Sequence, residues 1–232
     1  MILDEIVLID ERYEDEIYDN QSKSFYASIT CFKHIKKIKN AHRILIDDCI
    51  FYVSINEQQC DVYVAMREID NNILDSVCDY IFAKYKVKRI FLDHLYNQYI
   101  SKKYSPIKTG VNSDVLMILK DSVEEYHASL GKNTRKHVKY YFSRIKREYE
   151  NVEYNTFIKN EITYELIEDM FKFNKDRLLK ARNINREYTS EEVESVFKCA
   201  KEKGVLTTIS INGVVSGLAL IQNIGNDYYL TD

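Results

Sequence analysis

Seven cations crowd one short stretch of this chain: Lys132, Arg135, Lys136, Lys139, Arg144, Lys146 and Arg147. Ammonium and guanidinium groups at this density are suited to phosphate or carboxylate oxygens. Val138, Tyr141, Phe142, Ile145 and Tyr149 recur through the same stretch at helical spacing, which predicts an amphipathic helix with its apolar stripe packed inward. A helix start is already positive, because its first amide hydrogens lack partners and the backbone dipole points that way. Lys132, Arg135 and Lys136 add full charges there, at a cost of about 0.3 to 1 kcal/mol each when exposed. A sequence selected for stability alone would place Asp or Glu in that turn, so an anionic ligand is one reading. The other is neutralisation within the fold. Asp4, Glu5, Asp10, Glu11, Glu14, Asp15, Glu16 and Asp19 supply an acidic segment for that purpose.

Several chemistries find no residues to carry them. Cys31, Cys49, Cys60, Cys78 and Cys199 form no Cys-x-x-Cys pair and read as reduced thiols. His34, His42, His94, His127 and His137 lack metal-ligand spacing, so no metal is expected. Six glycines form neither a Gly-x-Gly-x-x-Gly nor a Walker-type loop. A formal net charge of -3 confines any polyanion-binding role to a local patch. Nucleic acid, bound through the basic helix 132–147, is the least favoured partner. Tyr140, Tyr141 and Phe142 there read as packing residues, and no nucleic-acid motif accompanies them. No apolar run is long enough to span a bilayer and the first residues carry no signal sequence, so a cytoplasmic location and no membrane partner are expected.

The elements that must position these residues are legible from periodicity. Apolar stretches at 2–9, 49–55 and 60–66 read as strands, with a turn at 56–59 that makes the last two a hairpin. Ile73, Val77, Tyr80, Ile81 and Tyr85 mark a helix over 71–85, and strands are predicted at 87–93 and 114–119. Pro106 and Gly110 place a loop at 102–112, and a short helix follows at 122–130. Beyond the basic helix come a strand at 152–158 and a helix at 162–181, with Leu166, Ile167, Met170, Phe171, Asn174 and Leu178 along one side. Thr189 and Glu192 have capping-box spacing, and Gly204 is placed to end the helix they open. Asn212-Gly213 between 205–211 and 214–222 is a tight-hairpin signal, and a further strand begins at Asp227. The fold class is mixed α/β (α+β), in two lobes of 1–120 and 121–232.

With these elements placed, residues 114–232 resemble the GNAT-like acyltransferases of the BioF2-like and CelD-like group, which are related to the FemAB aminoacyltransferases. The resemblance rests on Asp121-Ser122-Val123-Glu124-Glu125-Tyr126, a short helix leading to Leu130-Gly131-Lys132-Asn133-Thr134-Arg135-Lys136, on Arg177 in the next long helix, and on the 212–213 hairpin followed by Tyr228-Tyr229-Leu230. It implies two GNAT-like lobes, the second binding acyl-CoA (acetyl-CoA among the donors) and passing the acyl group to an amine. In that family further strands and a donor-binding helix follow the Tyr-Tyr strand, whereas this sequence stops at Asp232. The second lobe is therefore expected to have an incomplete sheet. Gln222-Asn223-Ile224-Gly225-Asn226-Asp227 approaches a donor motif but reads as a hairpin turn.

On this resemblance Lys132, Arg135, Lys136 and Arg177 are the candidate substrate- or phosphate-binding residues. Asp232 and Tyr229 are the candidate catalytic residues, and Asp176 or Glu168 could approach from the helix. The alternative is a catalytically inactive or partner-dependent relative acting as a binding module. An open edge at the last strand then predicts self-association or the need for a partner segment.

Overall fold

The computed structural model describes residues 3–4, 25–35, 41–46, 49–64, 68–93, 95–110, 119–224 and 227–231. The acidic run from Glu5 to Asp19, nearly all of the strand expected at 114–119, and Asp232 lie outside these residues. The described chain is mixed α and β. Its contacts divide it into a larger unit, Met1–Pro106 with Thr156–Thr207 and Ala219–Asp232, and a smaller one, Ile107–Asn155 with Thr208–Leu218. The division is by contact and so does not reduce to a single cut in the sequence.

In the larger unit the first sheet has the order β1 (Leu3–Asp4), β2 (Ala41–Ile46), β3 (Cys49–Asn56), β4 (Gln59–Tyr63), β5 (Arg89–Asp93). Neighbours are antiparallel except β4 and β5, which run parallel. A parallel pair needs a crossover, and α2 (Asn71–Tyr85) supplies it. Leu74, Val77 and Ile81 fall on one face of α2 and pack, fully buried, against Phe51, Val53, Cys60 and Val62. Each such side chain contributes about 1.5 to 3 kcal/mol through burial. Asp70 caps the helix by accepting from the Asn72 amide, and Lys86 ends it in the left-handed conformation at φ 53°. A shorter helix, α1 (Ile29–His34), buries Ile29 and Phe32 against Ile50 and Tyr52.

Another face of α2 holds the extended segment that follows β5. The Tyr99 and Ser101 hydroxyls donate to Asp75 Oδ1 at 2.5 and 2.6 Å, and the Tyr104 hydroxyl and Lys103 Nζ donate to Asp79 at 2.6 and 2.5 Å. These donors favour the charged carboxylates. Asp75 is held below its ordinary pKa by Ser101 first and then Tyr99, and Asp79 by Lys103 first and then Tyr104.

The second sheet has the order β6 (Val152–Ile158), β7 (Gly204–Ile211), β8 (Val214–Ile224), β9 (Asp227–Thr231). The β7–β8 turn has Asn212 at φ 52° and Gly213 at φ 78°, the positive dihedrals that the Asn-Gly pair predicts. Two helices, α5 (Tyr164–Arg182) and α6 (Ser190–Lys203), cover the part of this sheet that lies in the larger unit, where Ile162, Ile167, Val193, Ala200, Leu206 and Leu220 form the core. The capping box is present: the Glu192 amide donates to Thr189 Oγ1 at 3.1 Å, and the Thr189 amide donates to Glu192 Oε2 at 2.8 Å. Gly204 ends α6, as expected, but for a different reason. Its φ is -80°, which any residue adopts. A Cβ there would lie 2.5 Å from the Ala200 carbonyl oxygen, so close approach demands glycine. Glu202 fastens α6 to α1, accepting from Thr30 Oγ1 at 3.1 Å and meeting His34 Nε2 at 2.6 Å.

The smaller unit contains α3 (Val123–Ser129), α4 (Lys132–Glu148) and the tip of the β7–β8 hairpin. Here one expectation is corrected. Tyr141, Phe142 and Tyr149 do not pack inward: they are 55%, 49% and 45% exposed, and Val138 and Ile145 are only half-buried. Helical spacing creates an apolar stripe but does not supply a surface to cover it, and α4 buries no residue.

Candidate functional site

The larger unit carries a cleft of about 500 Å³ over the α5–α6 layer. Phe25, Met170, Phe171 and Val196 give it apolar walls, and Asn174, Tyr188 and Gln222 bring polar groups into its lining. Gln222 reaches this position through strand alternation. Leu220, Gln222 and Ile224 form the buried row of β8, so a carboxamide occupies a place in that row otherwise held by aliphatic side chains. It is 1% exposed, and its Oε1 has no hydrogen-bond partner among the described residues. Leaving such an acceptor unpaired costs about 1 to 3 kcal/mol.

Tyr188 is positioned from three sides. Its ring meets Phe171 edge-on at 4.7 Å, and the Arg186 guanidinium lies over it at 4.7 Å. Its hydroxyl oxygen accepts from Asn174 Nδ2 at 3.0 Å, and Asn174 Oδ1 in turn accepts from Arg177 Nη2 at 2.8 Å. A guanidinium thus polarises a carboxamide, which polarises a phenol. The hydroxyl hydrogen of Tyr188 remains available to an acceptor in the cleft. Glu192 also lines the cleft but is occupied: it caps α6 and pairs with Arg186 at 3.5 Å. The Thr189 amide, first among several donors, holds its carboxyl below the ordinary range.

The residues singled out from sequence fall in different places. Arg177 sits on α5, exposed, one hydrogen bond from the cleft through Asn174. Glu168 and Asp176 lie on the same helix, half-buried and exposed respectively, and neither lines the cleft. Tyr229 packs on β9 against Phe25, Cys31, Cys199 and Ile224. Lys132, Arg135 and Lys136 open α4 in the smaller unit. The first turn there has no acidic residue, and Gly131 offers no side-chain cap. Arg135 Nη1 donates to the Ala128 carbonyl at 2.9 Å, closing the corner from α3 to α4. Arg135 also lines a second cleft of about 440 Å³, with Leu130, Val138, Lys139, Phe142 and Lys146. No lining residue of that second cleft is buried, whereas the first holds a buried polar group, and the first is therefore the stronger site.

No family model matches the chain, and no curated protein matches it. A solved structure does: the crystal structure of a conserved protein of unknown function from Bacteroides thetaiotaomicron VPI-5482, at 12% sequence identity and a TM-score of 0.55, over 98% of this chain and 78% of the other. The likeness is one of fold.

Gln222, Tyr188, Asn174 and Arg186 are the cleft residues that sequence reasoning did not assign to a site. A signal existed for two of them. Asn174 interrupts the apolar side of α5, and Gln222 interrupts the apolar row of β8. Tyr188 and Arg186 lie between α5 and α6 without regular structure, where no periodicity marks them. Among the described residues no group of three or more His, Cys, Asp or Glu side chains is placed to hold a metal, and no helix is long and apolar enough to cross a membrane.

Proposed function

We propose that this chain is an N-acyltransferase of the GNAT-like kind, moving an acyl group from an acyl-CoA donor to an amine. The observation that carries this reading is the cleft with apolar walls and a buried, unpartnered carboxamide oxygen at Gln222. It joins the resemblance borne by the 121–136 segment, Arg177 and the 212–213 hairpin. The donor would supply an activated thioester carbonyl. The chain's own contribution is hydrogen bonding and charge. The Tyr188 hydroxyl, polarised from Arg177, donates to a carbonyl oxygen as negative charge grows on it. Gln222 Oε1 accepts from a nitrogen-bound hydrogen and so orients the amine. Lys132, Arg135 and Lys136, in the smaller unit, are cations of the kind that pair with phosphate oxygens.

The test is turnover of the purified chain with acetyl-CoA and longer acyl-CoAs against a panel of primary amines, read by mass spectrometry of the amide formed. Amine-dependent amide and an equal amount of free CoA are expected. Tyr188→Phe should lower kcat about 100- to 1000-fold, in the range that loss of one oxyanion donor produces. Absence of both amide formation and acyl-CoA binding across the panel would overturn the reading in favour of a non-catalytic binding module.

A further inference from the structure

The lining of the cleft includes an acceptor and a donor of complementary kind. Gln222 Oε1 is an acceptor with no donor among the described residues, and the Tyr188 hydroxyl is a donor whose own oxygen is already engaged by Asn174. A ligand that supplied only acceptors would leave Gln222 unsatisfied, so what fills the cleft must, as a water molecule does, both donate and accept. A ligand that supplied only donors would leave the Tyr188 hydrogen unused. Gln222 Oε1 is itself buried, and it turns toward the cleft by rotation about the terminal torsion, whose minimum is broad and two-fold and which carries Nε2 the opposite way. Phe25, Met170, Phe171 and Val196 add apolar surface to the same lining.

We infer that this cleft binds an uncharged amide, the N–H donating to Gln222 and the carbonyl accepting from Tyr188, with an aromatic or branched aliphatic substituent against the apolar walls. The inference rests on the reading of the cleft as the functional site and names the group recognised there. It requires no reaction to take place. An amide carries donor and acceptor on adjacent atoms, and it is the group that acyl transfer to an amine would produce. Arg177 and Asn174 act as positioning residues, since they reach the ligand only through the Tyr188 hydroxyl.

The test uses the full chain without any thioester and a matched pair of fragments. N-benzylacetamide and benzyl acetate have the same skeleton, the ester replacing the N–H by oxygen and offering the weaker carbonyl acceptor. Their saturation is followed by ligand-observed NMR. The wild-type chain should bind the amide about 10-fold tighter than the ester, because the ester leaves Gln222 unpaired. Gln222→Leu should bring the two affinities within about twofold, and Gln222→Met is the second variant where the branched side chain disturbs the strand row. Tyr188→Phe should weaken the amide by a factor of about 3 to 10 and the ester by less, leaving an amide preference that Gln222→Leu removes. A wild-type ratio below about twofold, a preference that survives Gln222→Leu and Gln222→Met, or saturation by neither fragment would overturn the inference. Since no donor is present, failure of acyl transfer leaves this result standing. Turnover by a chain without amide preference would remove the ligand assignment alone.

Discussion

The two cores of the larger unit differ in where a buried polar group sits. Under the first sheet, Phe51, Val53, Cys60, Val62, Leu74, Val77 and Ile81 are all completely buried, and the unpartnered polar atom beside them is the Tyr85 hydroxyl, at the end of α2 and not on a strand. Under the second, the equivalent row on β8 runs Leu220, Gln222, Ile224. A leucine would fill the middle position without a desolvation cost, so the glutamine is unfavourable for folding alone. The second core departs from an apolar strand row at Gln222, the one strand residue lining the cleft among the described residues.

The largest way to sharpen the contrast is to open a hole in the first core. Phe51→Ala should cost about 3 to 5 kcal/mol of unfolding free energy by denaturant titration, and the cleft should bind its ligands unchanged below the shifted transition. A loss under about 1 kcal/mol would mean that the first core is not close-packed. The next effect is at the helix that walls the cleft. Thr189→Ala removes the N-cap of α6 and should cost about 0.5 to 2 kcal/mol, with weaker ligand binding because Arg186 and Tyr188 lead into that cap.

The segment from Tyr99 to Tyr104 is held by carboxylates and should respond to acid. Asp75 and Asp79 have depressed pKa values in the fold, so their contribution is complete above the unfolded aspartate value of about 4 and is lost as pH falls through the lower folded values. Amide exchange at Ile100, Lys103 and Tyr104 should accelerate, relative to the intrinsic rate, across that acid window. Asp75→Asn should flatten part of the response, and an unchanged profile would show that the tyrosine and serine contacts do not hold the segment. The smallest effect belongs to the exposed basic helix. Lys132→Glu places an anion at the start of α4 and should raise stability by about 0.3 to 1 kcal/mol while raising KM for an acyl-CoA donor. No change in KM would return that turn to a solvated surface role.

Much of the fold was legible from the order of residues, because it rests on local signals. The 71–85 helix, the 152–158 strand, the Thr189–Glu192 cap and the Asn212-Gly213 turn depend on periodicity or on short-range chemistry, and they appear as expected. The strand at Ala41–Ile46 and the helix at Ile29–His34 were missed. The first is interrupted by His42 and Arg43, and the second is only six residues long, too short for a helical period to declare itself. Apolar spacing misled at α4, where Tyr141 and Phe142 form a stripe without a surface to bury it. The cleft was legible only in fragments. Asn174 and Gln222 stand out once their faces are known to be buried, but Tyr188 becomes a site residue only through tertiary contacts with Phe171 and Arg186.

The central claim is that Gln222 is kept for a ligand and not for the fold, and the unfolding free energy of Gln222→Leu in the absence of any ligand tests it most directly. The variant should be more stable than the wild-type chain by about 1 to 2 kcal/mol, since a buried unpaired acceptor is replaced by an apolar side chain in an apolar row. A loss of stability of that size would show that the carboxamide holds the core together and would contradict the assignment of the cleft.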